Sequence, residues 1–75
     1  MPRYFFSQMC PDRCTTDVSG EELQDRSEAA ARARELAMEL ASEQLQAGRN
    51  PAGWVEVEDE QRRPLLMLPL RAVAS

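Results

Sequence analysis

The reading of the fold turns on residues 25–47, DRSEAAARARELAMELASEQLQA. Alanine, leucine, glutamate and arginine, all strong helix formers, fill the stretch, and neither glycine nor proline interrupts it. Asp25 stands at the N-cap, where its carboxylate accepts from the freed backbone N–H groups of the first turn. Glu28, three residues on, completes a capping box of the aspartate variety. Gly48 supplies the stop. At 100° per residue, Leu36, Ala29, Leu40, Ala33, Ala37, Ala30, Ala41, Leu45 and Met38 share an arc of roughly half the wheel, where ~100° suffices for a surface helix. Arg34 is a charge inside that arc. Glu35, Glu39 and Glu43 line the opposite side, and like charges at i,i+4 mark it as a solvated face. So wide an apolar arc, rich in small residues, favours a second packing partner.

Working outward, residues 3–9 (RYFFSQM) are aromatic-rich and follow a proline, which favours an extended start. Tyr4, Phe6 and Gln8 alternate with Phe5, Ser7 and Met9. Pro11 and Asp12 suit a turn, residues 15–18 return as a second strand, and Gly20 ends it at a bulge or positive-φ position. Beyond the helix, residues 49–53 (RNPAG) form a loop. Residues 54–58 (WVEVE) then place Val55 and Val57 on one face and Trp54, Glu56 and Glu58 on the other. A polar turn at 59–63 leads into 64–70 (PLLMLPL), an edge strand by its prolines, and the tail from Arg71 reads as loose. The order is ββαββ. The expected architecture is α+β, a four-stranded antiparallel sheet with one long helix (about 26–47) on one face and hairpins at about 3–18 and 54–70, in a single domain over 1–75.

A chain of 75 residues buries only about 60% of its unfolded surface. Domains of this size usually add disulfides, a metal or oligomerisation. Two cysteines allow one bridge, and there is no histidine to complete a zinc site. Oligomerisation is left. The net charge of −4 argues against a nucleic-acid ligand, which calls for a basic patch. All nine basic residues are arginine, a usage in keeping with high-GC codon bias. No segment reads as a signal peptide or membrane span. The expectation is a cytoplasmic protein without membrane contact.

The opening Met1-Pro-Arg-Tyr-Phe-Phe6, the step from Gly20 through Asp25 into an alanine-rich helix, the exit at 47–49 and the hairpin at 54–70 come in a recognisable order. In these features the chain resembles a family of small uncharacterised proteins, chiefly alphaproteobacterial, that begin MPRYFFH and form a domain of unknown function. The resemblance covers nearly the whole chain and implies the same α+β fold and compartment. It brings no activity. Ser7 stands where that family usually carries histidine, and Cys10-Pro-Asp-Arg-Cys14 replaces a turn that is typically rich in aspartate and glycine.

Three clusters are candidates for chemistry. Cys10 and Cys14 flank a turn with a spacing unlike the C-x-x-C dithiol, and the bland reading is two reduced cysteines; redox or metal chemistry is the sharper one. Glu56, Glu58, Asp59 and Glu60 gather carboxylates that can hold Mg²⁺ or Ca²⁺, yet calcium-loop spacing is lacking and a solvated turn is the plainer account. Tyr4, Phe6 and Trp54, with Leu66, Leu68 and Leu70 alongside, form an interaction surface if the helix covers the Val55/Val57 face. The alternative is that sheet twist draws them into the core. With no nucleophile–base pair and no implied cofactor, the expected function is a non-enzymatic protein-interaction module acting as a homodimer. The competing reading is a small-molecule or metal-binding protein built on the cysteines or the carboxylates.

Overall fold

A computed structural model describes residues 1–10, 13–15 and 19–74, with the backbone alone at 10, 13 and 74. Its elements are β1 (Arg3–Cys10), β2 (Arg13–Thr15), β3 (Glu21–Glu22), α1 (Arg26–Gln46), β4 (Trp54–Glu58), β5 (Pro64–Pro69) and α2 (Leu70–Ala74). The fold is α+β, one antiparallel sheet and one long helix. The turn expected at Pro11 and Asp12, and the part of the return strand at Thr16, Asp17 and Val18, lie outside the described residues.

Asp25 caps α1 as its sequence dictates, its Oδ1 accepting from the Glu28 N–H at 3.0 Å. Glu28 reaches back one residue further than the cap, accepting from the Gln24 N–H at 2.6 Å. At the other end Arg49 N donates to Gln44 O at 2.9 Å and Gly48 N to Leu45 O at 3.0 Å. That pair of bonds is a Schellman closure, and it requires the left-handed backbone of Gly48, at φ 75°.

The sheet runs β2-β1-β4-β5, with β3 pairing to β1. β1 is the long central strand. β4 lies along one side of it, with Phe6 opposite Val57 and Gln8 opposite Val55. On its other side β2 takes the end from Gln8 to Cys10, and β3 takes Arg3 and Tyr4. Gly20 makes this second edge possible. A Cβ there would stand 2.8 Å from Arg3 Cγ and 2.9 Å from Tyr4 O, at a φ of 73°.

α1 lies on one face of the sheet. Ala29, Ala33, Ala37 and Ala41 are all buried there with Leu40, against Tyr4, Phe6, Val55 and Val57. Alanine at the seam lets the helix axis approach the sheet closely, which is why so small a core closes at all. Leu70, fully buried, joins this core from α2. The tail that reads as loose thus folds back as a short helix, fixed at its start by Leu70 N donating to Gly53 O at 3.1 Å. No helix among the described residues is long and apolar enough to cross a membrane.

Candidate functional site

The helix leaves the other face of the sheet uncovered, and strand register decides what stands on it. Cross-strand partners point the same way. Trp54 faces Met9, Met9 faces Cys14, and Glu56 sits between Ser7 and Met67. One row therefore carries Cys14, Met9 and Trp54, and the next carries Ser7, Glu56 and Met67. Trp54 keeps 39% of its surface exposed and Met67 56%. Met67 is the diagonal neighbour of Trp54, within reach of a long side chain. Together they make the apolar end of the uncovered face.

The opposite end is charged, and its charges are paired. Arg62 bonds Glu58 at 3.3 Å and lies over the Phe5 ring at 3.7 Å from the centroid. It does so from a left-handed backbone, φ 64°, in the slot that usually takes glycine after a type I turn. Arg3 donates to Ser19 O at 2.6 Å and Glu22 Oε1 at 3.2 Å, while its own N–H donates to Glu60 Oε1 at 2.9 Å. Asp59 organises the turn, Oδ1 accepting from the N–H groups of Gln61 and Arg63, each at 2.9 Å. Its Oδ2 meets Arg63 Nε at 3.1 Å. The Arg63 backbone bond leads in holding the Asp59 carboxyl below its ordinary value, helped by Gln61 and the Arg63 charge and opposed by desolvation.

Of the four carboxylates read as a cluster, Glu58, Asp59 and Glu60 are thus engaged in structuring this end of the sheet. Glu56 stands apart from them on the face opposite α1, its side chain making no hydrogen bond or ion pair among the described residues. No group of three or more potential ligand side chains is disposed to hold a metal ion among the described residues. Cys14 is an exposed free thiol whose cross-strand partner is Met9, and the Cys10 side chain lies outside what is described.

The six residues expected to share an interaction surface do not share one. Tyr4 and Phe6, each 5% exposed, belong to the core under α1. Leu66 and Leu68 face the same way at the half-covered edge, and Leu70 is buried outright. Trp54 alone occupies the uncovered face. The physical reason is register. Val57 opposes Phe6, so the even residues of β1 share the helix face with Val55 and Val57. The companions of Trp54 are instead the odd residues of β1. Met9 and Met67 were legible as strand residues, but only the pairing puts them beside the tryptophan.

The exposed edge of the sheet is blunted. Leu70 N donates to Gly53 O, so Trp54 and Pro69 form a non-hydrogen-bonded pair, as do Glu56 and Met67. The N–H position of Pro69 therefore points away from β4, where proline has no donor. Pro64 starts the strand, and a shift beside Glu58 breaks the ladder there. Such an edge is a poor template for an added strand.

A protein-family model described as Domain of unknown function (DUF6894) matches residues 3–71. No curated protein and no solved structure matches the chain.

Proposed function

Taking as premise that the chain belongs to the DUF6894 family, a domain of unknown function, we propose from its own geometry that it is a non-enzymatic protein-interaction module. In this reading it works as a homodimer, joined through the apolar end of the uncovered sheet face. The observation that carries the reading is the exposure of Trp54 and Met67, 39% and 56%, as diagonal neighbours on the sheet face opposite α1. Aromatic residues and methionine are enriched at interfaces, and a two-fold contact lets one patch serve both partners. The blunted β5 edge favours the face over the edge as the meeting place. The exposed thiol of Cys14 fits a reducing compartment, and the reading places the module in the cytoplasm.

Light scattering on the reduced protein across a concentration series tests this. Wild type is expected to approach the mass of two chains at high micromolar concentration. The double variant Trp54→Glu, Met67→Glu is expected to stay at the mass of one chain with its circular dichroism unchanged. A wild-type monomer throughout the series would sink the homodimer. A dimer surviving the double variant would move its interface elsewhere.

A further inference from the structure

Arginine is the sole basic residue type of an acidic chain, and four of the nine arginines meet acidic partners among the described residues. Arg3, Arg32, Arg62 and Arg63 each bond a glutamate or aspartate. Arg26 and Arg34 are both exposed on α1 and form no ion pair among the described residues. They fall on one flank of the helix, Arg26, Ala30, Arg34 and Met38 following one another at i,i+4. That flank faces β5 and α2.

Each of these two arginines stands at the rim of an apolar depression. The first, about 160 Å³, is lined by Ala29, Ala30, Val57, Leu65 and Leu66 beside Arg26. The second, about 400 Å³, lies between α1, β5 and α2, lined by Met38, Leu68, Ala72 and Val73 beside Arg34. Met38 remains 55% exposed there. At 1.5 Å per residue the two arginines are about 12 Å apart along the axis.

We infer that this flank is a docking groove for an acidic amphipathic helix of a partner protein. Two apolar side chains about two turns apart on one stripe would enter the two depressions, in the helix-in-groove manner. Carboxylates flanking that stripe would meet Arg26 and Arg34, which as guanidinium groups favour bidentate carboxylate contacts. A second copy of this chain does not supply such a ligand. The acidic stripe of α1, Glu35, Glu39 and Glu43, is interspersed with Arg32, Ser42 and Gln46 and has no apolar anchors. Docking it would also join two different patches, which leads to open chains of molecules rather than closed dimers. The groove is distinct from the sheet face assigned to self-association, so the two stand or fall separately.

The probe is a labelled alanine-based helical peptide with leucines at i, i+4 and i+7 and glutamates on both flanks of that stripe. Its counterpart carries lysine for every glutamate. Fluorescence anisotropy is expected to show saturable binding of the glutamate peptide, weakening as salt is raised, and at least tenfold weaker binding of the lysine peptide. The double variant Arg26→Glu, Arg34→Glu is expected to reverse that preference, and Arg34→Gln alone to weaken it. Trp54→Glu, Met67→Glu should bind the glutamate peptide as wild type does. Absence of saturable binding, equal binding of the two peptides, loss of binding on altering the sheet face, or stronger binding of a single-stranded DNA oligonucleotide would each overturn the inference.

Discussion

Phe5 and Phe6 are neighbours on one strand and live in different surroundings. Phe6 points under α1, into a seam of alanines packed on Val55 and Val57. Phe5 points the other way and is 9% exposed, with Arg62 laid across its ring and Gly20 close against its edge. The first face is closed by a helix of 21 residues, the second by a turn and a few long side chains. This sheet has one real core and one improvised cover. Improvised cover is where a partner can be accommodated without dismantling the fold.

The largest expected effect comes from breaking that contrast at the two rings. Phe6→Ala should cost about 3–5 kcal/mol, the range for truncating a large core side chain. A domain this small has only roughly 3–5 kcal/mol of stability to lose, so the variant is expected to be largely unfolded by circular dichroism at 25 °C. Phe5→Ala should cost about 2 kcal/mol or less, in the ordinary range for single substitutions, and remain folded. Equal costs for the two would mean that both faces are cores.

Next in size is the polar clamp at the far end of the helix seam. Gln44 is 7% exposed. Its Oε1 accepts from Ala52 N at 2.7 Å and its Nε2 donates to Ala52 O at 3.0 Å. This pair holds the loop that leads into β4. Gln44→Ala orphans both backbone groups and should destabilise by about 1–3 kcal/mol. Gln44→Glu keeps the acceptor and loses the donor, so it should fall between wild type and alanine in chemical denaturation at neutral pH only if the carboxylate stays hydrated. Amide exchange at Ala52 reads the clamp directly, and wild-type protection in Gln44→Ala would refute its role.

How far the sequence carries such arguments depends on the element. The cap at Asp25, the stop at Gly48 and the alternation of each strand are local, set by side chains a few residues apart, and each is legible in its own stretch of sequence. Register is not local. Period-two alternation sorts Tyr4 and Phe6 from Phe5, and Val55 and Val57 from Trp54, without saying which set joins which. Alternation alone thus allows Trp54 to fall with Tyr4 and Phe6, whereas its companions in the sheet are Met9 and Met67. The seat of Leu70 was hidden for a similar reason, since five residues after a proline become helix only because the core has a place for them. The clamp of Gln44 had no sequence signal, for a glutamine on an apolar arc looks like one on any helix.

A smaller effect sharpens the contrast on the improvised side. Arg62 adopts a left-handed backbone that costs a non-glycine residue about 1 kcal/mol or more, while its guanidinium gains about 0.5–1 kcal/mol over the Phe5 ring at a partly exposed site. Arg62→Gly removes the strain together with the contact, and the two nearly cancel. Arg62→Ala removes the contact and keeps the strain, so it should be less stable than Arg62→Gly by up to about 1 kcal/mol. In both variants Phe5 should gain solvent exposure, visible as a shift in its ring resonances. A fall in stability for glycine as large as for alanine would show that the arginine contacts, not the backbone, dominate this corner.

The least effect belongs to Asp59, whose carboxylate holds the same turn. Its folded pKa is depressed, led by the Arg63 backbone N–H, against an unfolded value of about 3.9. The stability it confers is therefore fully present above that unfolded value and is lost as pH falls through the lower, folded one. Asp59→Asn keeps an acceptor for the N–H groups of Gln61 and Arg63 but cannot titrate. Its thermal midpoint should lie slightly below wild type at pH 7, where the Arg63 charge finds no partner. On acidification below about pH 4 the gap should close, because protonation makes wild type resemble the variant. A gap that widened with acid would place the depressed carboxylate elsewhere. A variant that lost the hairpin would mean the charge, rather than the acceptor geometry, shapes the turn under Arg62.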